Sequence, residues 1–258
     1  MKYFDAHCHI QFEKYDGDRT ALIEQLVQEG VGGLVVGTDL ASSRAAIELV
    51  EDLDGFWATV GLHPNHVNDE TFDDGIYRGL AMHPKVVAIG ECGLDNYRPG
   101  DVEAAKPLQR DLFRRQVELS LEADKPLMIH GRPAKGGMDA YEDLLAVLAE
   151  YPGARGNIHF FVGTPAIARR FIDLGFTLSF TAVITFARDY DDVIRSIPLD
   201  SILSETDSPY VAPAARRGQR NDPRSAKDVV AALAQIRGED EEVVRAAVLR
   251  NARRVFSL

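Results

Sequence analysis

Residues 3–9 read Tyr-Phe-Asp-Ala-His-Cys-His, and whether they form a strand decides the fold. Side chains alternate faces along a strand, so Asp5, His7 and His9 would share one side and Cys8 would take the other. Two imidazoles on one face of a strand end can grip a metal ion, provided that the rest of the chain supplies the missing ligands. The chain has only seven histidines, so their placement is informative.

Working outward, short apolar runs recur, most of them with β-branched residues. They fall at residues 3–7, 33–37, 56–61, 86–91, 126–130, 156–161, 176–180 and 201–205, most of them bounded by Gly or Pro. Such runs read as buried strands. Between them lie segments with helical spacing, such as "TALIEQLVQEG", "LQRDLFRRQVELSLEA", "YEDLLAVLAEY" and "DVVAALAQIRG". Alternating strand and helix predicts a parallel sheet. Eight such units predict a closed (β/α)₈ TIM barrel, with an open doubly wound sheet as the alternative. No linker or composition shift divides the chain, so residues 1–258 are expected to form a single domain. The inserts "CGLDNYRPGDVEAAKP" (92–107) and "SPYVAPAARRGQRNDPRS" (208–225) follow the fourth and eighth strands and read as active-site loops.

Composition narrows the class. The chain is 45% hydrophobic and 27% charged, with two cysteines and a formal net charge of -11. Two cysteines do not suggest a disulfide scaffold and fit a reduced, cytoplasmic protein. No apolar run approaches the roughly 18 residues of a membrane span. The negative balance argues against a surface that coats nucleic acid broadly, while leaving room for a local basic patch.

The remaining metal-type donors fall at strand ends. Glu91 ends the fourth strand, His130 the fifth, His159 stands near the end of the sixth, and Asp207 follows the eighth. With His7 and His9 they make six nitrogen and oxygen donors at one rim. Imidazole and carboxylate suit transition ions better than Ca²⁺. Six donors exceed what one open tetrahedral ion needs, but suit two ions about 3.5–4 Å apart that share a carboxylate. Cys8 and Cys92 alternate away from this face and read as small core residues. His66 and His83 read as surface or loop residues.

"DAHCH", "GLHP", "IGECGLD", "IHGR", "IHFFVG", "SETDSP" and "RGQRNDP" together resemble the TatD family of metal-dependent deoxyribonucleases, within the amidohydrolase-like barrels. The resemblance runs from Phe4 to the C-terminal "NARRVF". It implies a barrel with two divalent ions (Zn, Mn, Mg, Ni or Fe). His7, His9, Glu91 and Asp207 would hold one, and Glu91, His130 and His159 the other, with Glu91 bridging. It also implies a hydrolase that trims single-stranded DNA from the 3′ end through a metal-bridging hydroxide. Two stretches depart from the family pattern. "HFFVG" lacks a cysteine and a serine near His159, and "RGQRNDP" replaces a lysine and a glutamate.

Roles follow from position. Asp207 is the candidate to take the nucleophile's proton, beside Glu91 and His63 as catalytic residues. His63 of "GLHP", Asp95, Arg132, Arg217 and Arg220 are the substrate-binding candidates: His63 because the resemblance implies a pocket histidine there, the arginines because guanidinium groups hold phosphates bidentately. Asp95 and Glu205 are also placed to orient ligands. Tyr97, Phe186 and Tyr210 are the few aromatics in or near the loops that could stack on bases. Nucleic acid is the expected partner, with no membrane and no stable protein partner. The alternatives are another scissile bond (an aminoacyl-tRNA ester, a cyclic amide or a lactone) and a metal-binding scaffold without turnover.

Overall fold

The computed structural model describes residues 1–97 and 102–258. Its elements alternate as the sequence predicts. They are β1 (Tyr3–Cys8), α1 (Arg19–Glu29), β2 (Val31–Val36), α2 (Leu40–Val50), β3 (Phe56–Val60), α3 (Asp74–Ala81), β4 (Val86–Asp95) and α4 (Val102–Glu122). There follow β5 (Leu127–Arg132), α5 (Asp139–Ala149), β6 (Gly156–Ile158), α6 (Pro165–Asp173), β7 (Phe176–Phe180), α7 (Asp191–Ser196), β8 (Ile202–Ser204), α8 (Ala226–Arg237) and α9 (Glu241–Phe256). Local chemistry sets the boundaries. Gly30, at φ 71°, accepts the left-handed turn that ends α1. Thr164 caps α6 by accepting from the Ile167 amide, with Pro165 in the first turn.

The eight strands pair in parallel in chain order. The first and last are stitched together: the Asp207 amide donates to the His7 carbonyl at 2.9 Å, and the His9 amide to the Ser208 carbonyl at 2.8 Å. The result is a TIM barrel, as the repeat predicts. Buried residues on the outer face of the sheet pack against the helices. A second cluster, with Phe4, Ala6, Leu34, Val36, Ala88 and Met128, fills the lumen and meets Leu249, Ala252 and Phe256 of α9. Fully burying a side chain such as Phe256 is worth about 1.5–3 kcal/mol.

Helix α9 closes the N-terminal mouth. Arg245 donates to the Lys2 carbonyl, and Asn251 to the carbonyls of Leu199 and Ile202, at the starts of β1 and β8. Its stripe of Val244, Val248, Ala252 and Phe256 recurs every fourth residue and is buried throughout. No strand follows it, so a count of strand–helix units gives it no place.

Three expectations are corrected. The insert 92–107 is not one loop: β4 continues to Asp95 and α4 begins at Val102, taking in Pro107. Of the residues between them, Asn96 and Tyr97 are described, and 98–101 lie outside the described residues. Second, β6 stops at Ile158, so His159 stands one residue beyond the strand. Third, alternation in β1 is broken. Pairing steps from Asp5 with Gly33 to Cys8 with Val35, three residues against two. Ala6 therefore joins the lumen cluster, Cys8 the outer one, and Asp5 turns to Thr206, whose amide and hydroxyl it accepts. A matching bulge in β4 steps from Ile89 with Leu127 to Cys92 with Ile129. Gly93 permits the close approach there, since a Cβ would meet the His130 carbonyl oxygen at 2.1 Å.

Candidate metal centre at the barrel mouth

Bulges re-aim side chains, and these two bracket His7 and Glu91. The Glu91 carboxylate sits at the middle of the open mouth. Its Oε1 lies 2.9 Å from His159 Nε2, 3.0 Å from His130 Nδ1 and 3.4 Å from His63 Nε2. Its Oε2 lies 3.4 Å from His7 Nε2 and 3.9 Å from His9 Nε2. Asp207 Oδ1 faces the same pair, 3.6 Å from His9 Nε2 and 3.9 Å from His7 Nε2. The two imidazole nitrogens of His7 and His9 are 3.1 Å apart. All six motif-derived candidate ligands therefore converge.

Outer partners fix which ring nitrogen is free. Carbonyls and carboxylates only accept, so His9 Nδ1 donates to the Val36 carbonyl at 2.8 Å and His130 Nε2 to Asp95 Oδ2 at 3.2 Å. His9 Nε2 and His130 Nδ1 then turn inward, and His130 Nδ1 donates to Glu91 Oε1 at 3.0 Å, where a bound cation would take the place of that proton. His159 Nδ1 lies 3.4 Å from Glu205 Oε1, and Glu205 is itself held by the Ser179 hydroxyl and the Phe160 amide, each at 2.6 Å. Carboxylates and carbonyls behind metal-ligating histidines orient the rings and raise their basicity. Four imidazoles and two carboxylates crowd together here, with the outer nitrogens of His9 and His130 tied back, and a divalent cation would replace the protons between them, so the donor set fits one. Among the described residues three groups lie within cation reach: His7, His9 and Asp207; His63, Glu91 and His130; and His7, His159 and Glu205.

His63 differs from the other four histidines. The Asn65 amide donates to its Nδ1 at 3.1 Å, so the proton resides on Nε2, aimed at Glu91. Burial, and then the neighbouring His130, push its pKa down to about 4. It is thus neutral near pH 7 and presents an N–H, which suits a hydrogen-bond donor rather than a ligand. Burial alone would raise Glu91, but the imidazoles of His159, His63 and His7 and the His130 hydrogen bond hold it well below the carboxylate range. Burial also works against ionised Asp207, and its contact with His9 together with the charges of His7 and His159 lowers it nonetheless. Both carboxylates are ionised at neutral pH.

The substrate-binding candidates divide. Arg132 stands exposed at the end of β5, its guanidinium 4.1 Å over the Tyr97 ring, and Arg217 lies 4.3 Å over Phe186. Asp95 is buried against His130, the orienting position rather than an open one. Arg220 does not face the pocket. It forms a bidentate pair with Asp18 and donates to the Lys14 carbonyl. Cys8 and Cys92 are buried in the outer cluster, away from the mouth. Ser179 was missed by the sequence reading; a serine inside an apolar strand carries no signal of its own.

The sequence model of the TatD related DNase family matches residues 4–257. The chain belongs to this family. It is 36% identical over 262 residues to the uncharacterized metal-dependent hydrolase YabD of Bacillus subtilis, covering 99% of each chain. It is 31% identical to a protein of Erwinia billingiae named 3'-5' ssDNA/RNA exonuclease TatD, again over 99% of each. The solved structure of the TatD homologue YjjV from Escherichia coli superposes with a TM-score of 0.88 at 29% identity, covering 100% of this chain and 98% of that one. The chain is a TatD-family metal-dependent hydrolase, and among the described residues no helix is long and apolar enough to cross a membrane.

Proposed function

We propose that this TatD-family hydrolase cleaves phosphodiester bonds in single-stranded nucleic acid from the 3′ end, with two divalent ions bridged by Glu91. The observation that carries the reading is the division of the Glu91 carboxylate: Oε1 faces His130 and His159, and Oε2 faces His7 and His9. His7, His9 and Asp207 would hold one ion with Glu91, and His130 and His159 the other. The nucleic-acid substrate and the direction of digestion are supported by the name of the Erwinia relative.

Divalent ions bound there would supply Lewis acidity and lower the pKa of water from 15.7 to about 7. The chain's own groups do the rest. Asp207 is ionised, and its carboxylate is the more accessible of the two, with 15% of its side chain exposed against 5% for Glu91. It is the group to accept the attacking water's proton and to return it to the leaving oxygen. His63, neutral and donating from Nε2, stabilises negative charge developing on the phosphoryl oxygens. Arg132 at the rim aligns a phosphate.

The test compares chelated with metal-refilled protein on 3′- and 5′-labelled single strands, a small phosphodiester and an aminoacyl ester. We expect loss on chelation, recovery with divalent ions, and release of a 3′ label first. Turnover of the ester without either phosphodiester would overturn the reading.

A further inference from the structure

Among the described residues three aromatic side chains are exposed: Tyr97 at 48%, Phe186 at 36% and Tyr210 at 45%. All three stand in loops at the C-terminal rim. The Tyr97 amide donates to Asp95, the residue that holds His130. The Tyr210 amide donates to the Asp207 carbonyl. Phe186 follows a turn tied to the loop after β8, where the Ala214 amide donates to the Thr185 hydroxyl at 2.9 Å.

Each of the three rings carries a cation. Arg132 lies 4.1 Å over Tyr97, Arg217 4.3 Å over Phe186 and Lys14 4.5 Å over Tyr210. None of these three cations has a carboxylate partner among the described residues. The cations over the other rings do: Arg115 with Asp74, Arg220 with Asp18, Lys227 with Glu29 and Arg245 with Glu242. Those rings are Phe72, Tyr15 and Tyr3, all buried or half-buried. On a chain of net charge -11, cations without a carboxylate partner and exposed rings coincide around the mouth, and among the described residues nowhere else.

We infer that the rim binds a polynucleotide with unpaired bases at three stations, Tyr97–Arg132, Phe186–Arg217 and Tyr210–Lys14. This rests on the phosphodiester reading above. A ring offers a face to any base, and a guanidinium plane stacks as well. The cation beside it meets the phosphate. Such a platform holds a strand without reading its sequence, and favours unpaired bases because paired ones keep their faces stacked.

The test is fluorescence anisotropy of the protein as purified, with phosphorothioate-linked oligothymidine, oligouridine, an abasic strand and a duplex. Tyr97→Ala, Phe186→Ala and Tyr210→Ala should each weaken single-strand binding about fivefold or more. They should change binding of the abasic strand and the duplex far less, and Tyr97→Phe should restore the loss. Arg132→Gln and Arg217→Gln should each flatten the slope of log affinity against log salt by about 0.7. Arg245→Gln on the flank should do neither. Equal losses on single and abasic strands, or no loss from the ring variants, overturn the inference. Losses shared by oligothymidine and oligouridine, or confined to either, support it. Wild-type hydrolysis of bis(p-nitrophenyl) phosphate separates the two readings. Turnover without ring-dependent binding removes the rim platform alone, and ring-dependent binding without turnover removes the phosphodiesterase reading alone.

Discussion

The Asp207 amide donates to the His7 carbonyl at 2.9 Å, and this bond both helps to close the barrel and holds two candidate ligands against each other. Asp207 lies three residues beyond β8, and backbone pairing at the seam places its carboxylate 3.9 Å from His7 Nε2. A site built on strand ends is held by the same hydrogen bonds that hold the fold, which is the preorganisation that catalysis requires.

Asp207 itself stands at φ 51°, in the left-handed region that Asn and Asp tolerate better than other side chains. Asp207→Asn should therefore keep the melting temperature, while kcat falls about 10²–10⁴-fold with loss of the proton acceptor. Asp207→Val, β-branched at the same dihedral, should lower both. If the asparagine variant turned over at the wild-type rate, proton transfer would have to lie elsewhere.

Glu91→Gln removes the charge that both imidazole groups share and points an amide N–H₂ at lone pairs. The purified variant should lose at least one ion per chain while its circular dichroism stays unchanged. Full metal occupancy with normal turnover is the result the two-ion reading could not survive.

Asp95 touches the centre through His130, at 3.2 Å. Asp95→Ala should cost about 10–100-fold in metal affinity or activity. Asp95→Asn should recover part of it, because its carbonyl still accepts from His130 Nε2. Metal titration of the pair separates orientation from charge: equal losses would mean that the carboxylate acts by its charge.

Cys8 lies one residue from each of two candidate ligands but on the far side of the strand, its thiol donating to the Leu34 carbonyl at 3.2 Å. Cys8→Ser puts a hydroxyl into an apolar cluster that offers it one acceptor, so it should cost about 1–2 kcal/mol of stability. Metal content and activity should be retained. His9→Ala should do the opposite and abolish activity. Metal lost from the serine variant but kept by the alanine variant would reverse the strand assignment.

The barrel and its six donors were legible because both rest on local signals: β-branched runs punctuated by Gly and Pro, and histidines at their ends. The bulges that turn His7 and Glu91 inward were not, since a bulge is a mismatch between neighbouring strands and leaves no mark on either alone. Asp5 shows the consequence, sharing the parity of His7 in sequence but not its face. The arginine loop failed for a related reason. "AARRGQRNDPR" reads as a free basic run, yet Arg220 is paired with Asp18 and Arg224 with Asp222 and Gln25. Two of those three partners lie some 200 positions away in sequence.

That loop yields a prediction about pH. Asp222 accepts from Arg224 Nε at 2.8 Å and Nη2 at 2.9 Å, and caps the turn Pro223–Ser225 by accepting from the Arg224 amide at 3.0 Å. Burial would raise its pKa, but the hydrogen bonds and charge of Arg224, with Arg216 nearby, hold it below the usual carboxylate value. A carboxyl whose folded pKa lies below its unfolded value of about 3.9 stabilises the native state above that pH, and the contribution fades as pH falls through the folded value. Asp222→Asn should therefore melt below the wild type at neutral pH. The gap should narrow as pH drops below about 4 and close once the wild-type carboxyl is protonated. Melting temperature against pH for both proteins is the measurement. A gap of constant width down to the most acid samples would place the cost in packing of the turn rather than in the charge, and the loop that carries Arg217 would then owe its order to shape.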